Sequence, residues 1–181
     1  MKYIILDLEA TCEKDNRDFT NEIIEVGAVK VNENLEVVSE FSSFVKPVIN
    51  PILTEFCKQL TTISQTDIDS AAEFKDVAEK FIAWIGNDSY VLCSWGFYDK
   101  TQLKKDCALH GVNTSWIRNH ISLKHQHGKK IMGIEKGMGM SRALSKAGLG
   151  LIGTHHRGID NAKNIAQLFV KYFEIWDFTI R

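Results

Sequence analysis

No apolar run in this 181-residue chain approaches the roughly 20 residues needed to cross a bilayer, so membrane insertion is not expected. The four cysteines, Cys12, Cys57, Cys93 and Cys107, include no Cys-x-x-Cys pair, and neither a zinc site nor a redox dithiol has its usual spacing. They read as reduced, mostly buried thiols, a usage that suits the cytoplasm. A signal-peptide core is also missing, because Asp7 and Glu9 interrupt the first apolar stretch too early. Charge of one sign is not in excess either. The formal net charge of −1 provides no global attraction to nucleic acid, so any such affinity must be local. No repeat, low-complexity segment or linker divides the chain, and one domain over residues 1–181 is expected.

What is present is patterned. Tyr3-Ile4-Ile5-Leu6 predicts a buried strand, and Glu22 to Lys46 predicts a β-hairpin turning at Asn32-Glu33-Asn34. The only two prolines, Pro47 and Pro51, close that unit. Phe74, Val77, Ala78, Phe81, Ile82 and Ile85 recur at helical spacing and stop at Gly86. Tyr90-Val91-Leu92-Cys93 predicts a short buried strand, followed by a helix from about Tyr98 to His110. Glycines between Met132 and Gly153 predict loop around one short helix near Ser141 to Ala147. Ile165, Leu168, Phe169, Tyr172 and Trp176 form a last apolar stripe, which also takes in Asn161. This order implies an α/β fold, with a mixed sheet covered by helices on both faces.

Asp7-Leu8-Glu9 ends the first apolar run, where a buried strand would run out of core. Residues two apart on a strand share a face, with Cα atoms roughly 6.5–7 Å apart. Two carboxylates that close resist joint ionisation unless a cation lies between them, and a divalent metal is the natural cation. The alternative is a pair of exposed acids at a strand end. Asp99 follows the short strand through Trp95-Gly96-Phe97-Tyr98 and falls in the first turn of a helix, where the dipole alone favours an acid. His155-His156-Arg157-Gly158-Ile159-Asp160-Asn161 precedes the last helix and reads, by itself, as a loop and cap. Between Lys124 and Lys146, six strong cations face the single acid Glu135: a phosphate-binding stripe or a solvated face.

In order and spacing, these clusters resemble the motifs of the DEDDh 3′-to-5′ exonucleases of the ribonuclease H-like superfamily: Asp7 to Cys12, Trp95 to Asp99, and His156 to Ala166. Glu22-Ile23-Ile24-Glu25 and the run from Pro47 to Leu60-Thr61-Thr62-Ile63 resemble the Eri-like branch. Gly153-Thr154-His155-His156-Arg157-Gly158 is similar to its bacterial members, a sporulation-inhibitor group. The resemblance implies a ribonuclease H-like fold with a five-stranded mixed sheet. It implies removal of nucleotides from the 3′ end of single-stranded RNA or DNA. Asp7, Glu9 and Asp99 would hold two Mg²⁺ or Mn²⁺ ions, since hard oxygen ligands suit those metals. His156 would be the general base, working near neutral pH, and His155 the surplus histidine, structural or phosphate-facing. Leu8 and Thr11 would face the terminal ribose, Leu60 and Ile63 would wedge beside the last bases, and Lys129 and Lys130 would bind the strand's phosphates. Phe97 and Tyr98 are further stacking candidates.

The family's fourth acid lies five residues after its histidine, which from His156 is Asn161 and from His155 is Asp160. One residue turns a side chain by roughly 100° around a helix, and the apolar stripe favours Asn161. A neutral amide at a metal-ligand position implies weaker metal binding and slower cleavage. The alternative to an active exonuclease is therefore a weakened or inactive nucleic-acid-binding or regulatory module. Nothing in the sequence names a protein partner.

Overall fold

The computed structural model describes residues 1–117, 119–154 and 156–179. Strand β1 (Lys2–Ala10) is the centre of a five-stranded sheet of order β3-β2-β1-β4-β5. β2 (Ile23–Val31) and β3 (Val37–Phe44) form the antiparallel hairpin. β4 (Tyr90–Ser94) runs parallel to β1, and β5 (His120–Ser122) parallel to β4. The hairpin turn is held by Asn32, whose Oδ1 accepts the N–H groups of Asn34 and Glu36.

Alternation along β1 separates two cores. Tyr3 and Ile5 pack with α6 (Met140–Lys146) and α7 (Gly158–Lys171). Ile4, Leu6 and Leu8 pack on the opposite face against α3 (Phe74–Ile85) and α4 (Tyr98–Leu109). Both faces are therefore covered. A third cluster joins Ile24 to Leu53, Cys57, Ile63 and Ile68 around α1 (Glu55–Thr61) and α2 (Gln65–Asp69). Thr54 and Ser64 cap these two helices, Ser64 in a reciprocal capping box with Asp67.

Asp7 and Glu9 stand at the end of β1, which continues to Ala10 and pairs Asp7 with Gly27 and Glu9 with Glu25. Two expectations change. The stripe ending at Trp176 is not one helix. α7 stops at Lys171, a 3₁₀ turn follows at Phe173–Ile175, and Trp176 folds back so that its Nε1–H donates to the Phe169 carbonyl. The basic stretch is more ordered than a loop and one helix, since it holds α5 (Leu123–His127), a π turn at Gly128–Met132 and α6.

Two glycines set the distance between α7 and the sheet. A Cβ on Gly27 would lie 2.0 Å from the Gly158 carbonyl carbon, and one on Gly158 would lie 3.1 Å from the Asp7 oxygen. The first turn of α7 thus rests directly on the backbone of β1 and β2, a contact that only glycine permits.

Candidate active site

A cavity of about 570 Å³ opens where β1, the start of α4 and the start of α7 meet. Asp7, Glu9, Asp99, His156 and Asn161 all line it. Asp7 and Glu9 arrive on the α7-facing side of β1. Asp99 arrives from the first turn of α4, buried, with its Oδ1 accepting the Leu8 N–H at 3.2 Å. Asn161, one turn into α7, points its Nδ2 at Asp7 Oδ2 (3.0 Å) and Glu9 Oε1 (3.4 Å). Asp160 faces the other way, and its Oδ2 accepts the Thr154 N–H. Asn161, and not Asp160, is therefore the residue of this turn that meets the acids. His155 lies outside the described residues.

The loop that carries His156 is anchored from below. Glu25 is fully buried and accepts from the Gly158 N–H (2.9 Å) and from Arg157 through Nε and Nη2. Removing the partly exposed Arg157 would leave the buried Glu25 carboxylate uncompensated. His156 itself has φ +64°, a left-handed conformation uncommon outside glycine and maintained here by the anchored residues that follow it.

The carboxylates repel one another, and their burial strengthens the repulsion. Burial, followed by the charges of Asp99 and Glu9, pushes the Asp7 carboxyl well above its ordinary range, and the Asn161 amide pulls it back only partly. Burial and the nearby Glu25 raise Glu9 to about 8. Burial raises Asp99 to about 6, against hydrogen bonds that favour its charged form. Such a site calls for positive charge. A divalent cation fits the donor set of carboxylate and amide oxygens. Asn161 Oδ1 is also buried without a hydrogen-bond partner among the described residues. As they stand, no three described His, Cys, Asp or Glu side chains form a group that could hold a metal ion. The Asn161 amide nitrogen lies between the acids instead, and admitting a cation requires turning that amide so that its oxygen faces inward.

The remaining sequence candidates separate. Leu8 lines the cavity through the strand and buries its side chain in the core. Thr11 does not face it: the residue is buried, and its hydroxyl accepts the Glu22 N–H. Ile63 is buried in the α1–α2 cluster rather than presented as a wedge, whereas Leu60 is 38% exposed. The basic stretch divides: Lys124 and Arg142 line the acidic cavity, while Lys129 and Lys130 line a separate one. Phe97 and Tyr98 are half exposed, Tyr98 on the acidic cavity and Phe97 on the other. Sequence reasoning missed the Glu25–Arg157 anchor and the two glycines. A lone glycine inside the apolar run of β2 was the available signal for a close backbone approach.

The exonuclease family model matches residues 4–169. The rat (Rattus norvegicus) 3′-5′ exoribonuclease 1 is 32% identical over 94% of this chain, which spans 52% of that protein. The probable 3′-5′ exonuclease KapD of Bacillus subtilis (strain 168) is 30% identical over 92% of this chain and 82% of its own length. The chain thus spans about half the length of the mammalian relatives and most of the bacterial one. The crystallographic nuclease domain of 3′hExo, a DEDDh family member bound to rAMP, superposes with a TM-score of 0.89. It is 32% identical, over 96% of this chain and 92% of that one. With its three motifs gathered around one cavity, this chain belongs to the exonuclease family, in the DEDDh group.

Proposed function

We propose that the protein is a metal-dependent exonuclease that hydrolyses the terminal phosphodiester bond at the 3′ end of single-stranded RNA or DNA. The observation that carries this reading is the meeting of Asp7, Glu9, Asp99, His156 and Asn161 at one cavity. In this reading Asp7, Glu9, Asp99 and the Asn161 oxygen hold Mg²⁺ or Mn²⁺, two ions per site. Once bound, a divalent pair polarises the phosphate and stabilises charge on the attacking and leaving oxygens. His156 takes the proton from the attacking water, and Lys124 and Arg142 at the rim attract the phosphate. The names of the relatives favour RNA as the substrate. One exonuclease domain occupies the whole chain, and the four free thiols support a cytoplasmic setting.

A second reading rests on the Asn161 amide, whose two contacts with Asp7 and Glu9 partly do the work of a cation. It is a domain that retains nucleic-acid binding with little turnover. Digestion of a 5′-labelled oligonucleotide with Mg²⁺ or Mn²⁺, against an EDTA control, separates the two. Stepwise shortening that EDTA abolishes supports the exonuclease, and an intact but bound strand supports the binding module.

A further inference from the structure

A second cavity, of about 440 Å³, lies on the far side of Phe97 from the acids. The wall between the two is short. Trp95 and Gly96 line the acidic cavity, and Phe97, the next residue, lines the second. Lys100, Lys129 and Lys130 contribute positive charge to it beside the His125 imidazole, and Asp177 is the one acid among its described lining residues. The Lys130 ammonium donates to the Ile175 carbonyl, which fixes the far rim. His125 is held by the Ser122 hydroxyl at 2.7 Å and lies against the Phe97 ring, centroids 4.6 Å apart. His120 forms part of the lining although it is only 6% exposed. Its Nε2 meets the Ser94 hydroxyl at 2.9 Å, and its Nδ1 has no hydrogen-bond partner among the described residues.

A half-exposed aromatic ring beside clustered cations, with a buried polar nitrogen left unpartnered, suits a nucleotide. The ring accepts a base face, and the cations accept its phosphate. We infer that this cavity is a subsite for the substrate strand upstream of the scissile bond, with a base stacked on Phe97 and its phosphate held by Lys100 and Lys129. A strand whose 3′ end enters the acidic cavity then reaches across Phe97 with its third and later nucleotides. Local charge of this kind is what a chain of net charge −1 needs to hold a polyanion. The inference rests on the reading of the acidic cavity as the place of the 3′ end.

Binding and cleavage are measured separately. Fluorescence anisotropy in EDTA, where no cleavage occurs, follows a 5′-labelled single-stranded dodecanucleotide and a dinucleotide. Lys100→Ala with Lys129→Ala should weaken dodecanucleotide binding by roughly tenfold or more. It should also flatten the dependence of log affinity on log salt by about 0.7 per lost phosphate contact. Phe97→Ala should weaken it by roughly tenfold with the salt slope kept, since stacking is lost and charge is not. The dinucleotide, too short to reach across Phe97, should lose much less. Equal losses for both ligands, or no loss for the longer one, would overturn the subsite. Wild-type protein that binds in this pattern but cleaves neither ligand with Mg²⁺ or Mn²⁺ would refute the exonuclease reading and leave the subsite standing.

Discussion

Asn161 is where the charge balance of the cavity meets the proposed catalysis. Its amide donates to Asp7 and Glu9, so replacing it with a carboxylate removes a donor and adds a fourth acid to a buried cluster. Without metal, Asn161→Asp should lower the thermal midpoint. With Mg²⁺ it should bind the ion more tightly and cleave faster, by about tenfold at limiting metal, because a charged hard ligand replaces a neutral one. Asp160→Ala should alter the rate much less, its carboxylate being turned towards Thr154. A rate-against-Mg²⁺ titration of the three proteins checks both statements. His156→Ala should lower turnover by roughly 10²–10⁴-fold with little change in strand affinity measured in EDTA. Asp7, Glu9 and Asp99 were legible as residues, because two-residue spacing on a strand and an acid at a helix start are local patterns, and His156 only through the resemblance of its motif to the family's. The left-handed backbone of His156 was not, because it follows from an anchor at Glu25, far away in sequence.

At the scale of elements, the site depends on how closely α7 approaches the sheet. Gly27→Ala places a methyl group inside the backbone of Gly158, and the helix must move away. Overpacking of this kind costs roughly 1–3 kcal/mol, and here it also carries Asn161 away from Asp7. Chemical denaturation should show that loss, with cleavage falling by more than the loss of folded protein explains. The same scale shows what patterning can and cannot deliver. Helix α3 was readable to its last residue, since its apolar residues hold one period and Gly86 ends it. α1, α2, β5 and α5, of three to seven residues each, are too short to express a period, and tertiary packing decides them. Trp176 misled for a related reason: a side chain folded back from a 3₁₀ turn fell by chance on the helical spacing of α7.

For the whole molecule, two bulk measurements report on these sites. Metal that binds only the folded state should raise the midpoint as its concentration rises. The gain is about 2.7 kcal/mol at a hundred times Kd, and Asp7→Asn should remove that gain while raising the midpoint in EDTA. Acid should act through His120. Burial, helped by Lys100, holds its imidazole down to about 4 from the ordinary 6.5, so the folded protein keeps it neutral where the unfolded chain takes up a proton. The unfolded state thus binds more protons across that interval. Stability from this residue is complete above pH 6.5 and is lost as the pH falls towards 4. His120→Asn should flatten the decline of the midpoint over that window relative to the wild type.

The hydrogen bond from Asn161 to Asp7 joins residues 154 positions apart in the sequence. During synthesis the ribosome releases β1, with its two acids, long before α7 exists. Every nascent chain that has not yet delivered α7 therefore carries crowded carboxylates with no amide between them and no His156 beside them. The message being translated is a single-stranded RNA held within reach, and it meets a completed site only after the codons of α7 have been read from it.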